Sequence, residues 1–379
     1  MYTLLLALAI GTPPDGPLNR TTTATSAPVS GANLCSSSLS IQRMEAAAKA
    51  GIKTIRITPS RWKGKTHDFL VGDALNYTQL VEDDLAILRR TLDDAHRLGL
   101  RVVVAMRTIP GRRWARNDVS TANVTLWSDA VQQERTVAFW THFAAKLGTH
   151  PALMAIDPIP RPRPLGVTKN LTDIESEQFA ATVATSRGTL VDSDTLYARI
   201  ISGVRKSSRH LPVVVQPIGG GAPKAFRYLR PQADPAVIYG FQAFEPHAFT
   251  GVDKDASPYH YPGKMPALGR RTMEWNKGVL LKQYQDVLTF QRNHSISSLR
   301  IMAVEYGAHR LAQGVVGYIN HLTDIFHTAQ WHRFFFCYRS PEAKAYDYEL
   351  GTRVDSTTRS NNTLWQALTR DISRASILK

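Results

Sequence analysis

The feature of this sequence with the clearest chemical potential is a carboxylate at the end of an apolar run. Residues 301–304 are apolar, and Glu305 follows them. A second apolar run, 153–156, leads into a segment that contains Pro160 and Arg161. Cleavage of a sugar acetal with retention needs two carboxyl groups, one that attacks and one that protonates the departing oxygen. Glu305 can attack, whereas the guanidinium of Arg161 cannot release a proton at working pH.

The elements that would position these residues are strands that alternate with helices. Strand-length apolar runs rich in β-branched residues recur along the chain, and segments with helical spacing of apolar residues separate them. The predicted strands are 31–34, 53–57, 101–106, 153–157, 212–216, 237–243, 300–305 and 334–338. The predicted helices are 41–50, 80–98, 130–147, 190–207, 278–294 and 313–328.

This alternation favours an α/β fold, a single-domain (β/α)8 TIM barrel, over a doubly wound sheet, which needs fewer strands and a glycine-rich phosphate turn. The run Gly219-Gly220-Gly221 lacks the dinucleotide-binding spacing, so we predict a tight turn there. In such barrels the functional side chains stand where the strands end. The predicted strand ends are Arg56, Arg107, Arg161, Gln242 with Phe244, Glu305, and Phe336 with Tyr338.

The order and spacing of several short segments resemble glycoside hydrolase family 5, the cellulase-like family of retaining glycosidases. The segments are 51–57, 99–107, 110–111, 244–250, 304–307, 338–339 and 346–351. The resemblance covers the chain from about residue 31 to its end. It implies a (β/α)8 barrel over 31–379, preceded by a leader and spacer over 1–30.

The resemblance also implies a role for each catalytic position. Glu305 matches the nucleophile of the family, and Arg56 matches the arginine that hydrogen-bonds to it. The family ends its fourth strand with Asn-Glu-Pro, in which Glu is the acid/base. Pro160 and Arg161 stand in the places of that Asn and Glu. The resemblance therefore implies a glycosidase barrel with a degenerate catalytic pair.

Other positions are predicted to contact a ligand. Arg107 replaces a histidine of the family, and Gln242-Ala243-Phe244 replaces a His-x-Tyr sequence. Trp114 lies among arginines after the third strand, where its ring could stack on a sugar. Tyr261 is a second aromatic candidate near the mouth of the barrel, and Phe336 ends the last strand.

Three functions are compatible with these residues. In the first, Arg161 pairs with Glu305, hydrolysis is impaired, and the former active-site cleft binds carbohydrate, which makes the protein a pseudoenzyme. In the second, the chain is an active retaining β-glycosidase with Glu305 as nucleophile and a displaced acid, either Asp157 or Glu245. In the third, the protein is a basic adhesin for polyanions. No cofactor is expected.

The charge of the chain bears on its partners. The formal net charge is +15. Six arginines follow the third and fourth predicted strands: Arg107, Arg112, Arg113, Arg116, Arg161 and Arg163. A guanidinium suits sulfate, phosphate or carboxylate, so an anionic glycan is an expected partner, and a solvated basic rim without a ligand is the alternative. The absence of a dense basic run argues against nucleic acid. His247 and His309 lack metal-ligand spacing, so no metal is expected.

The first 30 residues and the glycosylation sequons favour secretion. An apolar run over 2–10 is followed by a Thr/Ser/Pro-rich spacer. Six Asn-x-Ser/Thr sequons begin at Asn19, Asn76, Asn123, Asn170, Asn293 and Asn361. These features predict a secreted glycoprotein, and no later run is long and apolar enough to cross a membrane.

The two cysteines, Cys35 and Cys337, do not form a disulfide framework. They would be able to pair if the first and last barrel strands are adjacent. We expect instead two free, buried thiols.

Overall fold

The computed structural model describes residues 26–113, 123–164, 174–251, 257–267 and 272–377. Eight parallel strands close into a barrel in which each strand pairs with its neighbours in chain order. The strands are β1 Ser30–Leu34, β2 Thr54–Ile57, β3 Arg101–Ala105, β4 Leu153–Asp157, β5 Val213–Val215, β6 Val237–Ala243, β7 Ile301–Tyr306 and β8 His332–Phe335. The predicted (β/α)8 barrel is confirmed.

Helices surround this barrel. They are α1 Ile41–Lys49, α2 Glu82–Arg97, α3 Ala130–Leu147, α4 Glu177–Ser186, α5 Ser193–Arg205, α6 Lys277–Gln283, α7 Gln285–Asn293, α8 Val315–Thr328 and α9 Thr363–Ile377. All six predicted helices are present, although the fifth is divided at Tyr284 into α6 and α7. No helix in the described part of the chain is long and apolar enough to span a bilayer.

The predicted strands match the observed ones to within about two residues at most ends. The largest difference is in β8, which was predicted over 334–338 and covers His332–Phe335. Phe336 to Tyr338 form the turn above the barrel, where Tyr338 N–H still donates to Asn33 O at 2.9 Å. The Gly219 to Gly221 segment is a turn, as predicted, and all three glycines have positive φ.

The barrel interior consists of alternate residues from the strands. Val103, Ala155, Val214, Met302 and Val304 belong to this buried inner cluster. Most of their sequence neighbours, such as Val102, Val104 and Ile156, belong to the larger cluster between the sheet and the helices. This alternation follows from the two-residue repeat of a strand.

Cys35 and Cys337 are both free and buried, which confirms the expectation of two thiols. Burial raises the pKa of each thiol above its ordinary value. Both side chains therefore stay protonated and weakly reactive at neutral pH.

His332, the first residue of β8, gives the fold a pH dependence. The ring is buried; its Nδ1 accepts from Val29 N–H at 3.0 Å, and its Nε2 donates to Leu299 O at 2.8 Å. Burial lowers the pKa of His332 to about 4. The unfolded chain binds a proton near pH 6.5, so stability falls by up to roughly 3 kcal/mol as the pH falls from about 6.5 to 4.

We therefore expect His332→Gln, which retains a donor and an acceptor, to reduce the loss of stability on acidification. Urea unfolding at pH 7 and pH 4.5 measures this difference. His67→Gln is the control, because His67 is exposed. An equal loss in the wild type and in His332→Gln would contradict the assignment.

Candidate functional site

Four buried polar side chains meet at the C-terminal end of the barrel. Asn33 comes from β1, Arg56 from β2, Asp157 from β4 and Glu305 from β7. Each of the four residues is 0% exposed. Burial of this many polar and charged groups is tolerated only where they are hydrogen-bonded and paired with opposite charge.

A β-bulge in β7 directs Glu305 into the barrel. Val304 already faces the interior, so simple alternation would turn Glu305 towards the helices. The pairing of β7 with β6 shifts between Ala303 and Glu305, which inserts one extra residue. Two consecutive side chains therefore point inward, as bulges allow.

The carboxylate of Glu305 accepts hydrogen bonds from three arginines. Arg56 Nη1 lies 2.8 Å from Oε1, and Arg107 Nη2 lies 3.2 Å from the same oxygen. Arg161 Nη2 lies 2.6 Å from Oε2. Both carboxylate oxygens are thus occupied by guanidinium groups.

Arg56 connects Glu305 to a second buried carboxylate. Its Nη2 donates to Asp157 Oδ2 at 2.7 Å, and its Nη1 also donates to Asn33 Oδ1 at 2.8 Å. Gln216 Nε2 donates to the same Asp157 oxygen at 2.8 Å, and Gln216 Oε1 accepts from Gln242 Nε2 at 3.1 Å. The floor of the site is one continuous polar network.

The protonation states of this network follow from its charges. Burial alone would raise the pKa of Glu305, but Arg161, Arg107 and Arg56 outweigh it and hold that pKa well below its usual range. Burial opposes the charge of Arg56, yet Asp157 and Glu305 raise its pKa above the ordinary value. Glu305 is therefore an ionised acceptor at neutral pH.

Arg161 lies in the loop that follows β4. Its backbone has φ +53°, a left-handed conformation that is unusual for a residue with a side chain. Its N–H donates to Gln216 Oε1 at 3.2 Å, and its guanidinium carbon lies 5.6 Å from the centre of the Phe244 ring. These contacts aim the side chain at Glu305.

The two candidate replacement acids are both engaged elsewhere. Asp157 is fully buried between Arg56 and Gln216. Glu245 Oε1 lies 3.4 Å from His247 Nε2, and its backbone carbonyl accepts from Tyr318 Oη at 2.7 Å. Neither carboxyl is positioned by these contacts as a proton donor opposite Glu305.

A cleft of about 430 Å³ opens above the network. Arg107 and Arg161 form part of its floor, and Phe244 and Phe336 stand together beside them in an edge-to-face contact. The cleft is also lined by Cys35, Arg61, Ser340 and residues 342–346. The cleft thus combines cationic and aromatic surfaces.

Most of the predicted ligand-contact residues lie at this site. Gln242 joins the network through Gln216, and Phe244 and Phe336 line the cleft. Pro160 is buried, and its carbonyl accepts from Arg112 Nη2 at 2.7 Å. Trp114 and Arg116 lie outside the described residues.

Tyr261 lies beside the start of α8 but is buried, so its predicted ligand contact is not supported. The residue is 1% exposed, and its hydroxyl lies 2.8 Å from Nδ1 of His321 on α8. Its ring packs against Phe249 and Tyr318. The polar loop around it suggested exposure, but the ring fills space between the loop and the helix.

The arginines predicted at the mouth do not all line the cleft. Arg113 bonds to Asp68 at 2.7 Å and to Asp73 at 3.1 Å, so its charge is neutralised locally. Arg112 is buried beneath the cleft, where burial lowers its pKa to about 10. Arg163 is exposed. Arg107 and Arg161 are the members of this group that line the cleft.

Sequence reasoning missed several residues of the site. Asn33 and Gln216 belong to the polar floor, while Arg61 and Lys344 line the cleft. Asn33 carried a recognisable signal, because it is a polar residue inside an apolar strand. Lys344 carried none, because the turn that places it follows the last strand without a regular pattern.

Comparison with known proteins agrees with the architecture. No family model and no curated protein sequence matches the chain. A solved glycoside hydrolase is 16% identical with a TM-score of 0.64, over 91% of this chain and 99% of that one. The endoglucanase Cel5A of Thermotoga maritima is 13% identical with a TM-score of 0.63, over 90% and 96%. The cellulose synthase subunit Z of Clostridioides difficile is 14% identical with a TM-score of 0.61, over 90% and 99%. At these identities the chain is similar to glycoside hydrolases and endoglucanases in its fold, a single (β/α)8 barrel.

Proposed function

We propose that this protein binds carbohydrate in the cleft above the barrel and is impaired in hydrolysis, as a pseudoenzyme on a glycoside hydrolase scaffold. The ion pair between Arg161 and Glu305, at 2.6 Å, is the observation that carries the proposal. In this proposal Arg161 takes the position in which a retaining glycosidase has its proton donor, and a guanidinium cannot donate that proton.

Arg161 obstructs the reaction in two ways. A positioned general acid contributes about 10² to 10⁴ in rate, and a guanidinium contributes none of it. The same guanidinium also occupies the Glu305 oxygen that Arg56 and Arg107 leave open. Attack on a sugar would require this bond to break first, in a buried place where charge attraction is strong.

The cleft retains features that suit a sugar. Phe244, Phe336 and Tyr346 supply apolar faces beside hydrogen-bond donors, a combination typical of carbohydrate sites. Structures of the similar Thermotoga maritima enzyme are described as complexes with cellobiose and with mannotriose. By this likeness we propose a β-linked glycan as the ligand, and the cations of the cleft favour an anionic one.

We further propose that the protein is secreted and glycosylated. Three of the predicted sequon asparagines, Asn76, Asn293 and Asn361, are exposed on the folded chain, as attachment of a glycan requires. Treatment of the protein from a secreting eukaryotic host with a glycosidase specific for N-linked glycans tests this. An unchanged mass after treatment would contradict the proposal.

An aryl β-glycoside whose leaving group needs no protonation tests the loss of hydrolysis. We expect no release of the aryl alcohol above the solvent rate, because Glu305 is held by three arginines even when an acid is not needed. Glu305→Gln is the matched control and should behave like the wild type. Prompt release by the wild type that disappears in Glu305→Gln would establish an active nucleophile and refute the proposal.

A further inference from the structure

The cleft contains cations that no carboxylate of the described residues neutralises. Arg61 ends the short turn Pro59–Arg61 after β2, and Lys344 lies in the turn Pro341–Tyr346 after β8. Both line the cleft, and neither forms an ion pair within the described ranges. Their charges are available to a ligand.

Two further cations of the cleft share one internal carboxylate. The side chain of Arg107 is 10% exposed and that of Arg161 is 25% exposed, whereas Glu305 beneath them is 0% exposed. Glu305 thus binds the buried side of both guanidinium groups, and both arginine side chains line the cleft.

Glu342, an acidic residue in the cleft wall, does not neutralise these cations. Glu342 accepts from Ser37 N–H at 3.0 Å, Ser37 Oγ at 2.7 Å and Ser340 Oγ at 3.1 Å. Burial opposes its ionisation, but these hydrogen bonds lower the pKa of Glu342 to about 2. Its oxygens are therefore turned to the loop rather than to the arginines.

A charge balance of the site shows a positive surplus. The cations are Arg56, Arg61, Arg107, Arg161 and Lys344, and the carboxylates are Asp157, Glu305 and Glu342. Among the described residues, these groups give two more positive than negative charges. In a recess with low-dielectric walls such a surplus attracts anions more strongly than on an open surface.

We propose that the cleft holds an anion site for sulfate or carboxylate substituents of a glycan, formed by Arg107 and Arg161 with Arg61 and Lys344 at the rim, and that Glu305 is its internal competitor. This inference deepens the proposed function and rests on it for the sugar part of the ligand. Guanidinium edges bind such oxyanions through charge-assisted hydrogen bonds. The residue in the nucleophile position therefore limits binding instead of performing chemistry.

Isothermal titration calorimetry with sulfated mannotriose, neutral mannotriose and inorganic sulfate tests the site. The sulfated sugar should bind more tightly than the neutral one, and added salt should weaken its binding selectively. Glu305→Gln removes one negative charge next to the anion, so it should raise the affinity for the sulfated sugar by about tenfold or more. The increase should be smaller for neutral mannotriose, because that sugar carries no charge.

The rim cations provide a second, independent test that leaves the buried network intact. Arg61→Ala with Lys344→Ala should lower the affinity for the sulfated sugar by about tenfold or more. Lys49→Ala with Lys206→Ala is the control, because it removes the same charge from exposed positions at the helix ends on the opposite face. This control should leave the affinity within about twofold.

The outcomes separate the anion site from the proposed function. Equal affinity for both sugars, unchanged in the rim variant, would overturn the anion site and leave carbohydrate binding standing. Inorganic sulfate binding that is lost in the rim variant, with neither sugar bound, would support the anion site and refute carbohydrate binding. A Glu305→Gln variant that folds and binds the sulfated sugar no more tightly would refute the role of Glu305 as competitor.

Discussion

Arg56→Met is expected to lower the free energy of unfolding by about 3 to 5 kcal/mol, because it leaves two carboxylates buried without their shared partner. Arg56 is 0% exposed and bonds to Asp157 at 2.7 Å and to Glu305 at 2.8 Å. Methionine fills a similar volume, so the loss of charge dominates the effect. Urea unfolding at neutral pH measures it.

Two controls identify the cause of this loss. Arg97→Met removes an exposed arginine that pairs with Asp94, and such surface pairs contribute about 0 to 1 kcal/mol. Adding Asp157→Asn and Glu305→Gln to Arg56→Met removes the orphaned charges and should recover part of the stability. A loss below about 1 kcal/mol in Arg56→Met would contradict the view that Arg56 stabilises the fold by pairing with the two buried carboxylates.

Arg161→Glu together with Pro160→Asn is expected to raise hydrolysis of an unactivated β-glycoside by about a hundredfold or more over the wild type. The substitution supplies a proton donor and releases Oε2 of Glu305. An arginine side chain is two bonds longer than that of glutamate, a difference of about 2.5 Å. Starting from the contact at 2.6 Å, the introduced carboxyl would stand roughly 5 Å from Glu305, the separation of a retaining pair.

Initial rates of sugar release under saturating substrate measure this gain. Arg161→Gln with Pro160→Asn is the matched control, since it removes the ion pair and supplies no acid. A gain in both variants would show that the ion pair alone limited the reaction. No gain in a folded Arg161→Glu variant would contradict the view that Arg161 is the principal block.

The sequence predicted the barrel well because its information is local and repeated. Each strand is a short apolar run, and a (β/α)8 barrel needs the same pattern eight times, so an error of two residues in β8 does not change the topology. The helices α4 and α9 were not predicted. For α9 a signal was present, since Asn362 Oδ1 accepts from Leu364 N–H and Trp365 N–H and so caps its first turn.

The site was predictable where it lies at strand ends and less so where loops form it. Arg56 and Arg161 were predicted to pair with Glu305, and their contacts are observed at 2.8 Å and 2.6 Å. The contact from Arg107 at 3.2 Å was not predicted. The burial of Tyr261 was not predicted, because burial of a loop aromatic depends on the helix against which it packs. Sequence periodicity carries no information about such tertiary contacts.

The bulge in β7 was also beyond sequence reasoning, since two-residue alternation gives no reason to place Val304 and Glu305 on the same face. The prediction of an inward Glu305 therefore rested on family resemblance rather than on periodicity. Irregular strand pairing is set by the neighbouring strands, which a single sequence does not reveal.

The β-bulge in β7 sets the direction of the side chain at position 305. That direction depends on the number of residues in the strand and not on which residue stands there. Any side chain at position 305 still points into the polar floor, because the bulge and not the residue type sets its direction. Deletion of one residue between 303 and 305 would restore regular pleating and rotate the side chain towards the helical shell. The direction of this side chain is therefore more sensitive to insertions and deletions in β7 than to exchanges of the residue at position 305.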